Sequence, residues 1–414
     1  MRNVSRACAI FYIIALISVN VTFEGALASV VRIAGIVTLG TWIMSLMETK
    51  RIRRFSATHV FFFLFFGMHV LSLLWSKHPN ETYQACYRIA LMVGALVVIY
   101  DLFVENERTA AIATQAGVIG CTIVCLLIIR NWKLGNIFID KARFTADGLH
   151  ANNAAFLCVV GIPLAWGMLI NRTTPWKPFM VLNAAYPFIA MFALILTGSR
   201  GGFLEALPIV AWGLITLVRT KGGPVLLAAL FFMVSGIIAT NPDIQNNIGR
   251  VTNIEQLKQD RGSGRADLWV IAWRMFEEDP LTGKGGGSFQ PTAGSRVTWE
   301  GTTMGVHNAW LETAAELGIP GVIVLASTVF SCGLAALKSG MGNRAALVAC
   351  WIPFPIVMFY EHVERAGFFW SIFFVLLIQA TVSGRVWREK RAQLAYEKHR
   401  QAVETERLRI AQPA

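Results

Sequence analysis

Val306-His307-Asn308-Ala309-Trp310-Leu311-Glu312 decides how this chain is read, because a long polar interval turns back into apolar sequence there. That interval, Asp243 to Gly318, also carries Ser263-Gly264-Arg265 and the glycine run Gly283-Lys284-Gly285-Gly286-Gly287. Before it and after it the chain consists of apolar segments with short polar joints.

Composition fixes the class. The chain has 414 residues, of which 55% are hydrophobic and 15% charged, with mean hydropathy +0.53. A soluble domain is closer to half apolar and a quarter charged, so this reads as a polytopic membrane protein. A net charge of +12 would point a soluble protein toward nucleic acid. In a membrane protein Lys and Arg set orientation instead, and no nucleic-acid partner is expected. Cys8, Cys86, Cys121, Cys125, Cys158, Cys332 and Cys350 all fall in apolar segments, none in a CxxC pair. No metal site and no required disulfide follow from them. Met1–Ser29 imitates a signal peptide, with Arg2, Arg6 and Ala26-Leu27-Ala28. Its apolar run is long for a signal, so it is expected to stay as the first span.

A helical span needs about 20 apolar residues. The candidates are 7–22, 25–47, 57–75, 85–104, 109–129, 152–170, 177–197, 202–218, 224–240, 316–337, 344–361 and 366–384. The expected fold is an all-α integral membrane protein of about twelve transmembrane helices, with a large, partly helical periplasmic loop between helices 9 and 10. Loop charge orients it. Lys50, Arg51, Arg53 and Arg54, then Arg172 with Lys177, Arg219 with Lys221, and Lys338 with Arg344 mark one side. The basic tail from Arg385 joins them, so both termini are expected in the cytoplasm of a bacterial inner membrane. The division is a membrane domain at 1–240, the periplasmic loop at 241–315, a second membrane segment at 316–384 and a cytoplasmic tail at 385–414. The tail reads as a helix on the membrane surface or as a simple orientation signal. No internal repeat is visible.

Basic residues also gather on the outer face, where the orientation rule would not place them. Arg200, in Thr197-Gly198-Ser199-Arg200-Gly201-Gly202, sits in a turn too tight to reach bulk water easily. A guanidinium there suits a phosphate or carboxylate; alternatively it pairs with a loop acid such as Asp267. Ser263-Gly264-Arg265 opens a helix with Asp267, Leu268 and Trp269, and Arg265 at its N-terminus favours an anion; the plain alternative is a peripheral amphipathic helix. The glycine run lacks the spacing of a nucleotide loop. It reads as a flexible turn, or as a backbone nest for an anion with Lys284. His307-Asn308 opens another helix, whose dipole disfavours further positive charge, so a neutral His307 suits general-base work. A capping or interfacial role is the alternative for His307. Arg143 and His150, in the segment before the sixth span, extend the anion site or merely surround the helix caps Asn152 and Asn153. The final outer turn holds Glu361, His362, Glu364 and Arg365, to which no role is given.

The order of these motifs resembles the O-antigen ligase family, within the ligase/polymerase superfamily. The resemblance rests on Thr-Gly-Ser-Arg-Gly, Ser-Gly-Arg with a Trp four residues on, the glycine-rich turn before Phe289, and His-Asn-x-x-Leu-Glu-x-x-x-Glu-x-Gly. It implies a membrane glycosyltransferase that moves O-antigen polysaccharide from undecaprenyl diphosphate to lipid A–core, without cofactor or metal. His307, Arg265 and Arg200 would be catalytic, and Arg143, His150, Ser199, Lys284 and Asn308 would contact the diphosphate or the acceptor. A polymerase or a protein O-oligosaccharyltransferase using the same donor is the nearest alternative. A lipid-sugar transporter would carry repeats and mid-span polar residues; here, apart from Lys177 and Arg344 at the first position of their spans, only Arg32 and Arg88 are Lys or Arg within spans.

Overall fold

The computed structural model describes residues 1–19, 26–137, 143–219, 236, 239–252, 265–294, 298–299, 302–303 and 305–411. The membrane-type helices before the polar interval are α1 (Arg2–Ser18), α2 (Ala26–Thr49), α3 (Ala57–Ser72), α4 (Pro79–Phe103), α5 (Glu107–Lys133), α6 (Ala151–Ile170), α7 (Pro178–Thr197) and α8 (Arg200–Val218). The interval contains α9 (Pro242–Thr252), α10 (Arg265–Glu278), α11 (Phe289–Ala293) and a two-residue antiparallel pairing of β1 (Thr298–Trp299) with β2 (Thr302–Thr303). After it come α12 (Ala309–Leu337), α13 (Met341–Trp351), α14 (Pro353–Val357) and α15 (Gly367–Ala411).

Among the described residues, 8 helices are long and apolar enough to cross a membrane. The expected spans 7–22, 57–75 and 344–361 fall instead on helices that are short or broken. In the last case Pro353 and Pro355 cannot donate to the helical ladder and split it into α13 and α14. The expected span 224–240 lies outside the described residues except near its end, as do Ser263 and Gly264.

The apolar half of α15 is the axis of the bundle: 83% of its window is buried, against 22% for α2. Trp370 packs on Phe62 of α3 at 4.3 Å, and Phe369 meets Phe156 of α6 at 5.7 Å and Phe354 of α14 at 5.1 Å. Lipid is as apolar as these side chains, so close fit rather than exclusion of water selects such pairs. Leu74, Val181 and Leu207 are exposed on the outside of the bundle, as lipid-facing residues would be. Beyond Arg385, α15 continues without a break to Ala411, with exposed side chains from 388 through 405. The tail is thus an extension of the last apolar helix, not a separate helix laid along the surface.

Two polar clusters mark opposite ends of α5, which is about 40 Å long at the usual rise per residue. At its start, buried Asp101 accepts from Trp42 Nε1 at 3.0 Å and from the Arg53 backbone N–H at 2.9 Å, and it pairs with Arg2. Arg385 closes the same end by donating to the carbonyls of Val104 and Glu105. At its finish, Asn131 donates to the Thr145 carbonyl at 2.8 Å and to Asp147.

The glycine run has a structural task. Gly318 interrupts α12 with φ 66 and ψ −168, which frees backbone groups that apolar surroundings cannot satisfy. Lys284 N–H donates to Ala315 O at 3.0 Å, Gly285 N–H to Glu316 O at 2.8 Å, and Ile319 N–H to Pro280 O at 2.8 Å. Gly283 makes this approach possible: its φ is +65, and a Cβ there would lie 2.2 Å from the Glu316 carbonyl carbon. A Gly283→Ala protein is expected to lose more than about 2 kcal/mol, from left-handed strain together with the backbone clash. The measurement is a thermal melt of the purified protein, and an unchanged melting temperature would refute this account of the turn.

Candidate functional site

Most of the candidate side chains sit at helix ends, where the backbone turns and polar groups can face one another. The segment before α6 brings Arg143, buried at 8% exposure, against the end of α7, where its Nε donates to the Thr197 carbonyl at 3.0 Å. His150 is the N-cap residue of α6. Ser199 caps α8: its Oγ accepts from Gly202 N–H at 3.1 Å and donates to Asn152 Oδ1 at 2.7 Å. Arg200 is the residue after that cap. Arg143 also donates to Asn152 Oδ1, at 3.4 Å.

Asn152 links this group to a carboxylate that the sequence reading left without a role. Its Nδ2 donates to Glu361 Oε1 at 2.6 Å. Glu361 lies past the end of α14, is 1% exposed, and is approached from several directions. His150 Nδ1 is 3.3 Å from Oε1, Arg265 of α10 is 3.3 Å from the same oxygen, and His307 Nδ1 is 3.3 Å from Oε2. Burial alone would push the Glu361 carboxyl up. Hydrogen bonds from His150 and His307 are the largest opposing influence, and the group is held well below the usual carboxylate range.

The surrounding backbone explains the convergence. Trp269, one turn after Arg265, donates from Nε1 to the Val306 carbonyl at 3.1 Å, which fastens α10 to the residue before His307. His307 adopts φ 51, a left-handed conformation that non-glycine residues take only where surrounding structure enforces it. The helix cap is Asn308, whose Oδ1 accepts from Leu311 N–H at 3.0 Å. His307 therefore stands one residue outside the helix, against a carboxylate, and not at the helix terminus as expected. Ala309 N–H donates to the carbonyls of Met358 and Glu361, which ties the start of α12 to the final outer turn. The His307 ring also packs on His362 at 4.8 Å and lies 5.9 Å from His150. Tyr360 donates to buried Glu205 of α8 and sits 6.0 Å from the Arg265 guanidinium.

Lys284 is placed elsewhere: its Nζ lies 2.6 Å from both Glu278 and Asp279. A second cluster holds the glycine turn from the other side. Arg365 pairs with Glu316, Glu312 and Glu364, while Glu316 also accepts from Gly287 N–H at 2.8 Å and Phe289 N–H at 3.1 Å. Burial pushes Glu364 up to about 7.

His307, Glu361 and His362 present possible ligand atoms within 4.8 Å of one another. Arg265 and Asn152 already occupy Glu361 Oε1, and a guanidinium at that distance repels a cation. The arrangement suits an anion beside Arg265 and proton transfer at Nε2 of His307, whose Nδ1 faces Glu361.

Sequence reasoning missed Glu361 and the linking role of Asn152. The available signal was density: four titratable residues between Glu361 and Arg365, in a short turn between two apolar segments. No curated protein matches the chain. Residues 185–326, which include Ser199, Arg200, Arg265 and His307 but neither His150 nor Glu361, match the model of the O-antigen ligase family, and the family resemblance carried by the motifs is thereby shown for that segment.

Proposed function

We propose that this chain is an O-antigen ligase, a membrane glycosyltransferase that moves O-antigen polysaccharide from undecaprenyl diphosphate to a sugar hydroxyl of lipid A–core. The family match supports a glycosyltransferase-like role in O-antigen processing. The observation that carries the finer reading is the meeting of Arg265 and His307, distant in sequence, on the two oxygens of one buried carboxylate. One group suits the leaving diphosphate and the other the entering hydroxyl.

In this reading the acceptor oxygen attacks the anomeric carbon of the donor sugar. The bond from that carbon to the phosphate oxygen breaks, and undecaprenyl diphosphate leaves with the electron pair. Arg265 and Arg200 hold the negative charge that develops on it. The hydroxyl proton passes to Nε2 of His307, since Nδ1 faces Glu361. A single displacement inverts the anomeric centre. Arg143, His150, Ser199 and Asn308 support these groups, the first three through Asn152 and Glu361 and Asn308 by capping α12.

The proposed setting is a bacterial inner membrane with about twelve spans, both termini cytoplasmic and the site facing the periplasm. The loop at 241–315 closes over the lipid diphosphate, between membrane segments 1–240 and 316–384, with 385–414 as the cytoplasmic tail. Orientation rests on the loop charges.

The test is a reaction of purified protein with polysaccharide on undecaprenyl diphosphate and lipid A–core in excess EDTA. Capped product at the rate seen without chelator is expected. Loss of product on chelation, restored by a divalent ion, would overturn the reading in which guanidinium groups alone hold the diphosphate. Joining of donor chains to one another would identify a polymerase.

A further inference from the structure

We propose that Glu361 is the positioning residue of the site: it fixes the ring of His307 and the guanidinium of Arg265 relative to each other. The inference rests on the proposed transfer reaction but lies outside the matched family segment, which ends at 326.

Four side chains from three separate parts of the chain reach this carboxylate. His150 and Asn152 come from the start of α6, Arg265 from the start of α10, and His307 from the residue before the cap of α12. The partners divide the two oxygens, with Asn152, His150 and Arg265 on Oε1 and His307 on Oε2. The backbone of Glu361 adds to the hold, because its carbonyl accepts from Ala309 N–H at 3.1 Å. Its neighbours flank the same groups: Tyr360 lies beside Arg265 and His362 beside His307. Through Asn152, whose carbonyl oxygen accepts from Ser199 and Arg143, the carboxylate also reaches the turn that presents Arg200.

The chemistry follows from which ring nitrogen is engaged. A carboxylate opposite Nδ1 favours the tautomer with hydrogen on Nδ1, which leaves the lone pair on Nε2 for the acceptor hydroxyl. An amide in place of the carboxylate loses that preference, because its single oxygen is held by the donors Asn152 and Arg265 and its NH2 group, left facing His307, can only donate. A role limited to tying down the final turn would not require the carboxylate to face His307, since the backbone bonds to Ala309 already provide that tie.

The experiment compares wild type, E361Q, H307A and the double variant in the purified reaction, with 15N-histidine spectra of wild type and E361Q. In E361Q, kcat is expected to fall about a hundredfold or more, with the acceptor KM within about threefold of wild type. Added to H307A, E361Q should cost less than about threefold, since its effect passes largely through the imidazole. The spectra should show His307 leaving the Nδ1–H tautomer in E361Q. The proposal is overturned by near-normal kcat in E361Q, by an equal loss in both backgrounds, or by an unchanged His307 tautomer. Should E361Q not accumulate, E361D makes the same comparison, because it keeps the charge and withdraws it by one methylene; full activity in E361D overturns the proposal. If wild type transfers nothing, the ligase reading fails, and the tautomer comparison still decides the role of Glu361.

Discussion

An Arg265→Ala protein is expected to accumulate in the membrane and to transfer polysaccharide about a hundredfold to a thousandfold more slowly than wild type, the usual cost of removing one preorganised donor to transition-state charge. The loss falls on chemistry because Arg265 stands at the first turn of α10, where helix N–H groups also favour an anion. Folding is expected to survive, since Glu361 keeps its contacts to Asn152, His150 and His307. Removing a partner from a buried carboxylate is costly when nothing else holds it, and here three other groups do. Arg265→Lys restores charge but not the planar fork, so it is expected to recover only part of the rate. Transfer rate and membrane abundance, measured on one preparation, check this; a normal rate in Arg265→Ala contradicts it.

His307→Ala is expected to slow transfer by about a hundredfold to ten-thousandfold, the range for loss of a positioned general base. Alanine also raises the cost of the left-handed backbone at φ 51. His307→Asn separates the two effects, because Asn tolerates that conformation far better than most residues and offers no comparable base. Both variants should lose activity alike, with Asn melting closer to wild type. Added imidazole should return part of the rate to His307→Ala. Retained activity in His307→Asn would show that the position needs a left-handed residue and not a base.

The helices were largely legible in the sequence, because lipid demands long apolar runs and each run announces itself. Short or broken helices were less so. Pro353 and Pro355 split one expected span, and the interruption of α12 at Gly318 depends on partners from the distant glycine run. That run illustrates a limit of local reading. Its glycines suggested a flexible turn or an anion nest, but their positive φ values and close contacts serve the docking of one backbone on another.

The candidate site was legible in its basic half. Arg143, His150, Ser199, Arg265 and His307 stand out as polar residues at the ends of apolar segments, and the structure joins them in one network. Its acidic centre was not. Glu361 sits in a turn that reads as a join between two spans, and only the packing of α6, α10 and α12 around it reveals four partners. A histidine's role depends on what faces its ring, and sequence spacing carries no record of that across 54 residues.

The most direct measurement of the central claim is a lipopolysaccharide gel of a strain lacking this gene, complemented with wild type or with Arg265→Ala. The account predicts uncapped core and long chains retained on undecaprenyl diphosphate in the deletion strain, capped lipopolysaccharide with wild type, and none with Arg265→Ala. A deletion strain with a single repeat on its core, or full capping by Arg265→Ala, would contradict it.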